Sequence, residues 1–180
     1  KRSRALAGQA TPDVLTFRAH AFATPHGEVR MLFRDHGLSD AIGFVYQSWS
    51  AEAAVDDFVG KLRAIGAHCD AVDGRQTIVP VILDGENAWE YYQNDGRDFF
   101  LYLYDRLSRE QGLKCVTVGE YLRDHPAQAE IPRLHAGSWI NANYRVWIGH
   151  EEDNKAWDLL GRTRDALTDY MTATAATEKT

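Results

Sequence analysis

The sequence predicts an α/β protein with parallel strands, and three observations carry that expectation. Short apolar runs rich in β-branched residues alternate with segments of helical period along most of the chain. The run 77–83, Thr-Ile-Val-Pro-Val-Ile-Leu, is nearly all apolar, as a strand covered on both faces of a parallel sheet is. The region after residue 150 then carries one long helical pattern that extends beyond this alternation.

The elements follow in order. Residues 1–13 are small and polar and are expected to be poorly ordered, and a short strand is expected over 14–18. Residues 28–34 form a second strand that ends in the polar cluster Arg34-Asp35-His36. Ser39 or Asp40 can cap a helical turn through Ile42, Phe44 and Val45. Ser50 is a natural N-cap for a helix whose stripe is Val55, Phe58, Val59, Leu62 and Ile65, with Gly66 as its stop. Strand 77–83 follows, although Pro80 removes one ladder donor. A helix over 98–111 puts Phe99, Phe100, Leu103, Tyr104 and Leu107 on one side and stops at Gly112. Residues 114–118 form a strand, and Thr117 with Glu120 has capping-box spacing for a short helix that Pro126 closes. An irregular stretch leads to a helix from Glu151 to about Met171, with Trp157, Leu160, Leu167 and Met171 as its stripe. Glu151, Glu152 and Asp153 suit its N-terminus. The organisation is therefore a start over 1–13, strands and helices over 14–125, a helical region over 126–172 and a disordered tail over 173–180.

Composition removes several function classes. The 180 residues include 44% hydrophobic side chains, enough for a core. A net charge of −6 and the absence of a basic run beyond Lys1-Arg2-Ser3-Arg4 argue against a nucleic-acid surface. No apolar run reaches the roughly 18 residues of a membrane helix, and no signal-peptide pattern opens the chain, so a soluble protein is expected. Cys69 and Cys115, the only cysteines, form neither a disulfide framework nor a metal clip, and favour the cytoplasm. The chain opens without Met, which fits a natural start further upstream. Aromatic residues reach 11%, with five Trp, and aromatics both fill cores and stack on sugar rings.

Chemistry concentrates at Leu83-Asp84-Gly85-Glu86-Asn87-Ala88-Trp89-Glu90, where an apolar strand runs directly into carboxylates, an amide and an indole. Catalytic groups gather at the C-terminal ends of strands in parallel α/β folds. Asp84 stands there, and burial against Ile82 and Leu83 would raise its pKa, as a carboxylic general acid requires. It could equally cap the turn at Gly85. Glu86 would face the same side in an extended chain. Arg34, Asp35 and His36 lie just past another strand, as a structural ion pair or as donors and acceptors for substrate hydroxyls. Trp139 and Trp147, with amides and an Arg between them, suit a platform for sugar rings or a place in the core. Trp157 and Cys115 fit the core. The histidines show no metal-binding spacing, so no metal and no cofactor is expected.

The motif at 83–90, the pattern Gly-Ser-Trp-Ile…Trp-Ile-Gly…Asn-Lys-Ala-Trp within 137–157 and the segment 33–44, Phe-Arg-Asp-His-Gly-Leu-Ser-Asp-Ala-Ile-Gly-Phe, together resemble family 57 glycoside hydrolases. The last of these is similar to the amylopullulanase-like branch. The resemblance, over about 28–165, implies the C-terminal part of a (β/α)7 barrel followed by a helical region. It also implies an α-glucan or oligosaccharide substrate cleaved or transferred with retention of configuration. Asp84 then matches the acid/base. Glu86, Arg34, Asp35, His36, Trp89, Trp139 and Trp147 become the expected substrate-binding residues. The family's Glu nucleophile belongs to an earlier strand, and nothing in 1–30 matches its motif. The N-terminal half of the barrel is the missing partner, and this chain alone is expected to be inactive. Two rivals stand beside this reading. One is a non-catalytic carbohydrate-binding module. The other is a metal-dependent polysaccharide deacetylase with Asp35, His36 and His135 as ligands.

Overall fold

Ser50 starts the element around which the first unit is built. Its side chain accepts from the Ala53 N–H, and the helix it caps runs Ala51–Val72. The computed structural model describes residues 13–85 and 89–177 and divides into two units, one ending at Arg133 and the other beginning at Leu134. Most of the expected poorly ordered start, residues 1–12, lies outside the described residues, as do 178–180 of the tail.

In the order of the chain, β1 is His20–Thr24, β2 Gly27–Met31, α1 His36–Asp40, α2 the helix Ala51–Val72, α3 Arg97–Arg109, α4 Val118–Asp124, β3 Ala129–Glu130 and α5 Glu151–Thr177. Helix α2 buries Ala54, Val55, Phe58, Val59, Leu62, Ile65 and Cys69 along one face, each large side chain there worth roughly 1.5–3 kcal/mol. Opposite them lie Phe17, Leu38, Ile42, Tyr46, Tyr92, Phe99 and Leu103. Two buried hydroxyls find partners: Tyr46 Oη donates to Asp57 at 2.6 Å and Tyr92 Oη to the Ile42 carbonyl at 2.5 Å. Burial pushes the Tyr92 phenol up to about 12.

Gly66 does not stop α2. A glycine inside a helix costs only about 1 kcal/mol, and the buried stripe continues past it to Cys69. The helix ends where Gly74 takes a positive φ of 60° and, with Asp73, donates to the Cys69 carbonyl. Helix α3 matches its expected stripe at Phe99 and Leu103, but Tyr104 is exposed. Helix α4 has the expected capping box, Thr117 Oγ1 accepting from Glu120 N–H and the Glu120 carboxylate accepting from Thr117 N–H.

The strands differ more from the sequence pattern. Residues 14–17 form a 3₁₀ turn capped by Asp13 rather than a strand. The sheet is mixed, in the order β2-β1-β3: β1 and β2 are an antiparallel hairpin pairing Phe22 with Val29, and only β1 and β3 are parallel. The α/β class holds, while parallel pairing is limited to that one short contact. The run 77–83 is extended but joins no ladder, and only Pro80 in it is buried. Its bonds are scattered: Ile78 N–H donates to Phe17 O at 3.1 Å and Asp35 N–H to Pro80 O at 3.2 Å. Residues 114–117 are also irregular and exposed, so Cys115 is a surface thiol and not a core residue, whereas Cys69 is buried. Asp35, not Ser39 or Asp40, caps the turn after β2, and Phe44 and Val45 face outward.

The second unit consists of turns over 134–150 and helix α5, which runs past Met171 to Thr177. Its expected core stripe is uncovered, since Trp157, Leu160, Leu167 and Met171 are all at least half exposed. Among the described residues no helix is long and apolar enough to cross a membrane.

One buried charge ties the first unit together. Arg18, 2% exposed, donates to Asp73 at 2.6 Å, to Thr77 Oγ1 at 3.1 Å and to the carbonyls of Phe17 and Gln76. The Asp73 carboxyl is held below the usual range, first by the Arg75 N–H and then by Arg18. A carboxylate with a lowered folded pKa contributes stability that is present above its unfolded value, about 3.9, and lost as pH falls through the folded one. Thermal melts should therefore fall steeply on acidification below about pH 4. Asp73→Asn should melt lower at neutral pH and show a shallower acid limb. An unchanged acid limb in that variant would remove Asp73 from the titration.

Candidate functional site

The extended run 77–83 ends at Asp84, which is exposed at the start of the turn through Gly85. The apolar cover expected around it is thin in this chain, because Ile82 is 48% exposed. Glu86, with Asn87 and Ala88, lies outside the described residues.

The segment 34–40 packs along the last residues of this run. Arg34 does not pair with its neighbour Asp35. Its Nε donates to the Ile82 carbonyl at 2.9 Å and its Nη2 to Asp40 at 2.8 Å. Asp35 is half-buried and accepts from Leu38 N–H at 2.6 Å, so its carboxylate is used as the N-cap of α1. Ser39, fully buried, donates to the Asp35 carbonyl at 2.7 Å and accepts from Ile82 N–H at 3.3 Å. His36 is exposed and lies 3.0 Å from the other oxygen of Asp40. The structure thus brings the Arg34 cluster to the extended run that leads to Asp84. Asp40 and Ser39 complete that junction, and sequence reasoning saw them only as possible helix caps. The available signal was their spacing, since His36 and Asp40 stand four apart, as one helical turn requires.

Trp89 is half-buried. Its ring packs against Phe100 with centroids 4.0 Å apart, against Tyr92 at 5.5 Å and against Phe99 at 6.3 Å. Gly96, at φ 74°, lets it in, because a Cβ there would stand 2.8 Å from the indole.

In the second unit, Trp139 is 87% exposed on a turn that bonds to itself. His135 Nε2 lies 2.8 Å from the Ala142 carbonyl, and Ser138 Oγ donates to Asn143 O at 2.6 Å. Asn141 and Ala142 both take left-handed conformations, and a Cβ on Gly137 would meet Ala142 O at 2.5 Å. The stretch before Trp139 is therefore tightly bonded rather than loose. Trp147 is 44% exposed, and its carbonyl accepts from the Trp157 indole N–H at 2.7 Å. Trp157 serves as this surface tie, not as core. Asn154 likewise accepts from Gly149 N–H at 3.1 Å, so the motif residues after position 146 hold the turn to α5. Among the described residues, no three or more His, Cys, Asp or Glu side chains are grouped so as to hold a metal ion.

The family model described as glycosyl hydrolase family 57 matches residues 9–133, ending where the first unit ends. The curated proteins gave no match.

An exposed ring on a self-bonded turn contributes little to folding. Trp139→Ala should change stability by no more than about 0.5 kcal/mol, against roughly 3–5 kcal/mol for Phe58→Ala in the core. Paired thermal melts test this. A large melting loss for the Trp139 variant would make that ring structural.

Proposed function

The chain belongs to glycosyl hydrolase family 57, and from that premise we propose that it is part of a retaining α-glucan-active glycoside hydrolase or transferase of the amylopullulanase-like branch. In this reading residues 14–125 are strands and helices of the C-terminal part of the catalytic barrel, residues 126–172 its helical region, and the location cytoplasmic. The observation that carries it is the family match over a stretch in which Asp84 stands, exposed, at the end of an extended apolar run. The half-uncovered Ile82 and the scattered bonds of 77–83 suit a strand whose neighbours lie elsewhere in the barrel.

Asp84 is the acid/base. Protonated, it gives its proton to the glycosidic oxygen as the leaving sugar departs and a Glu from the missing half of the barrel attacks the anomeric carbon. As a carboxylate, it then takes a proton from the water or acceptor hydroxyl that releases the glycosyl-enzyme. Glu86, Arg34, Asp35 and His36 orient the leaving oxygen and its neighbouring hydroxyls, Trp89 borders the site, and Trp139 and Trp147 stack on glucose rings. The exposure of Trp139 also favours a second reading, a carbohydrate-binding module without catalysis.

The chain alone should not turn over starch, pullulan or maltooligosaccharides, because one carboxylate cannot run a double displacement. In the full-length protein, Asp84→Asn should lower kcat by about 10²–10⁴-fold, and less for substrates with good leaving groups. Near-normal turnover in that variant would take Asp84 out of the mechanism. Glucan binding without turnover by the full-length protein would support the binding module.

A further inference from the structure

We propose that Asp40, acting through Arg34, is a positioning residue that sets the direction in which Asp84 presents its carboxyl. The inference rests on Asp84 being the acid/base and adds a residue that the family match does not assign. Three backbone groups of the run that leads to Asp84 are held by one short segment. Asp35 N–H donates to Pro80 O, Ile82 N–H donates to Ser39 Oγ, and Arg34 Nε donates to Ile82 O. Pro80 has no N–H, so an ordinary strand ladder is interrupted there, and these bonds replace it.

Of the three, the Arg34 bond reaches furthest towards Asp84, two residues on. An arginine side chain has many rotamers, and a carbonyl alone does not select one of them. Asp40 does, by accepting from Nη2 at 2.8 Å while Nε faces the strand. Asp40 is itself fixed on α1, with His36 Nε2 3.0 Å from its second oxygen, on the helix that Asp35 caps. The chain of contacts therefore runs from a capped helix, through a carboxylate and a guanidinium, to the carbonyl just before the catalytic turn. A general acid must meet the glycosidic oxygen within hydrogen-bond reach, and a displacement of about 1 Å can cost on the order of 10²-fold in rate.

The test uses the full-length enzyme with two substrates. One is a maltooligosaccharide, whose leaving sugar needs protonation, and the other is a nitrophenyl α-maltooligoside, whose leaving group needs little. Asp40→Asn is expected to lower kcat on the maltooligosaccharide by about tenfold or more, with KM changed less than about twofold. The loss on the nitrophenyl substrate should be several-fold smaller, and Asp40→Glu should recover part of the rate. Combined with Asp84→Asn, Asp40→Asn should add little further loss. Equal losses on both substrates, or a raised KM at unchanged kcat, would overturn the proposal. Asp84→Asn alone on the same substrates separates the two ideas. If it shows the leaving-group dependence and the Asp40 variant does not, only the positioning role fails. If it shows none, the acid/base reading fails and the positioning role with it.

Discussion

A buried guanidinium sets the terms for the first unit. Arg18 has almost no exposure, and an isolated charge in such a place would be costly enough to prevent folding. Its partners come from three separate stretches: the 3₁₀ turn before β1, the C-cap of α2 and the first residues of the run that leads to Asp84. Satisfying Arg18 therefore fixes where α2 ends and where 77–83 begins. The apolar face of α2 supplies most of the burial, yet apolar contact is non-directional and would tolerate several arrangements. The charge, with its fork of donors, tolerates far fewer.

The same division of labour recurs at the site. Val79, Val81 and Leu83 pack partly on the core and give 77–83 its place. Direction comes from polar atoms on 34–40, where Ser39, Arg34 and the Asp35 backbone take up groups that a neighbouring strand would otherwise bond. A run that reads in sequence as the centre of a parallel sheet is here held on one side by a capped turn. Covered on one side only, it stays half exposed. The bonds that hold Ile82 come from side chains that no pattern of apolar residues would reveal.

The second unit has a different logic. Its turns bond to themselves and to α5 through Ser138, Trp157 and Asn154, so three of the residues that carried the resemblance at 137–157 have evident structural duties. Trp139 is left almost wholly exposed. A large ring kept in water by a strained, tightly bonded turn is a surface feature that suits a ligand with apolar faces.

The sequence by itself determined the α/β class, helix α2 from its Ser50 cap and apolar period, and the Thr117–Glu120 capping box. These depend on contacts between residues a few positions apart, which short-range pattern records. It misplaced the end of α2, because a glycine's small local cost is outweighed by continued burial at Cys69. It read 14–18, 77–83 and 114–118 as strands, although a strand exists only if another segment offers its backbone. Only the tertiary structure decided that β1 would pair antiparallel with β2, that Arg18 would be buried against Asp73, and that Arg34 would reach Ile82 and Asp40 rather than Asp35. Each of those joins groups through space, where the free energy of burying a charge or completing a backbone bond is decided by which distant segment arrives.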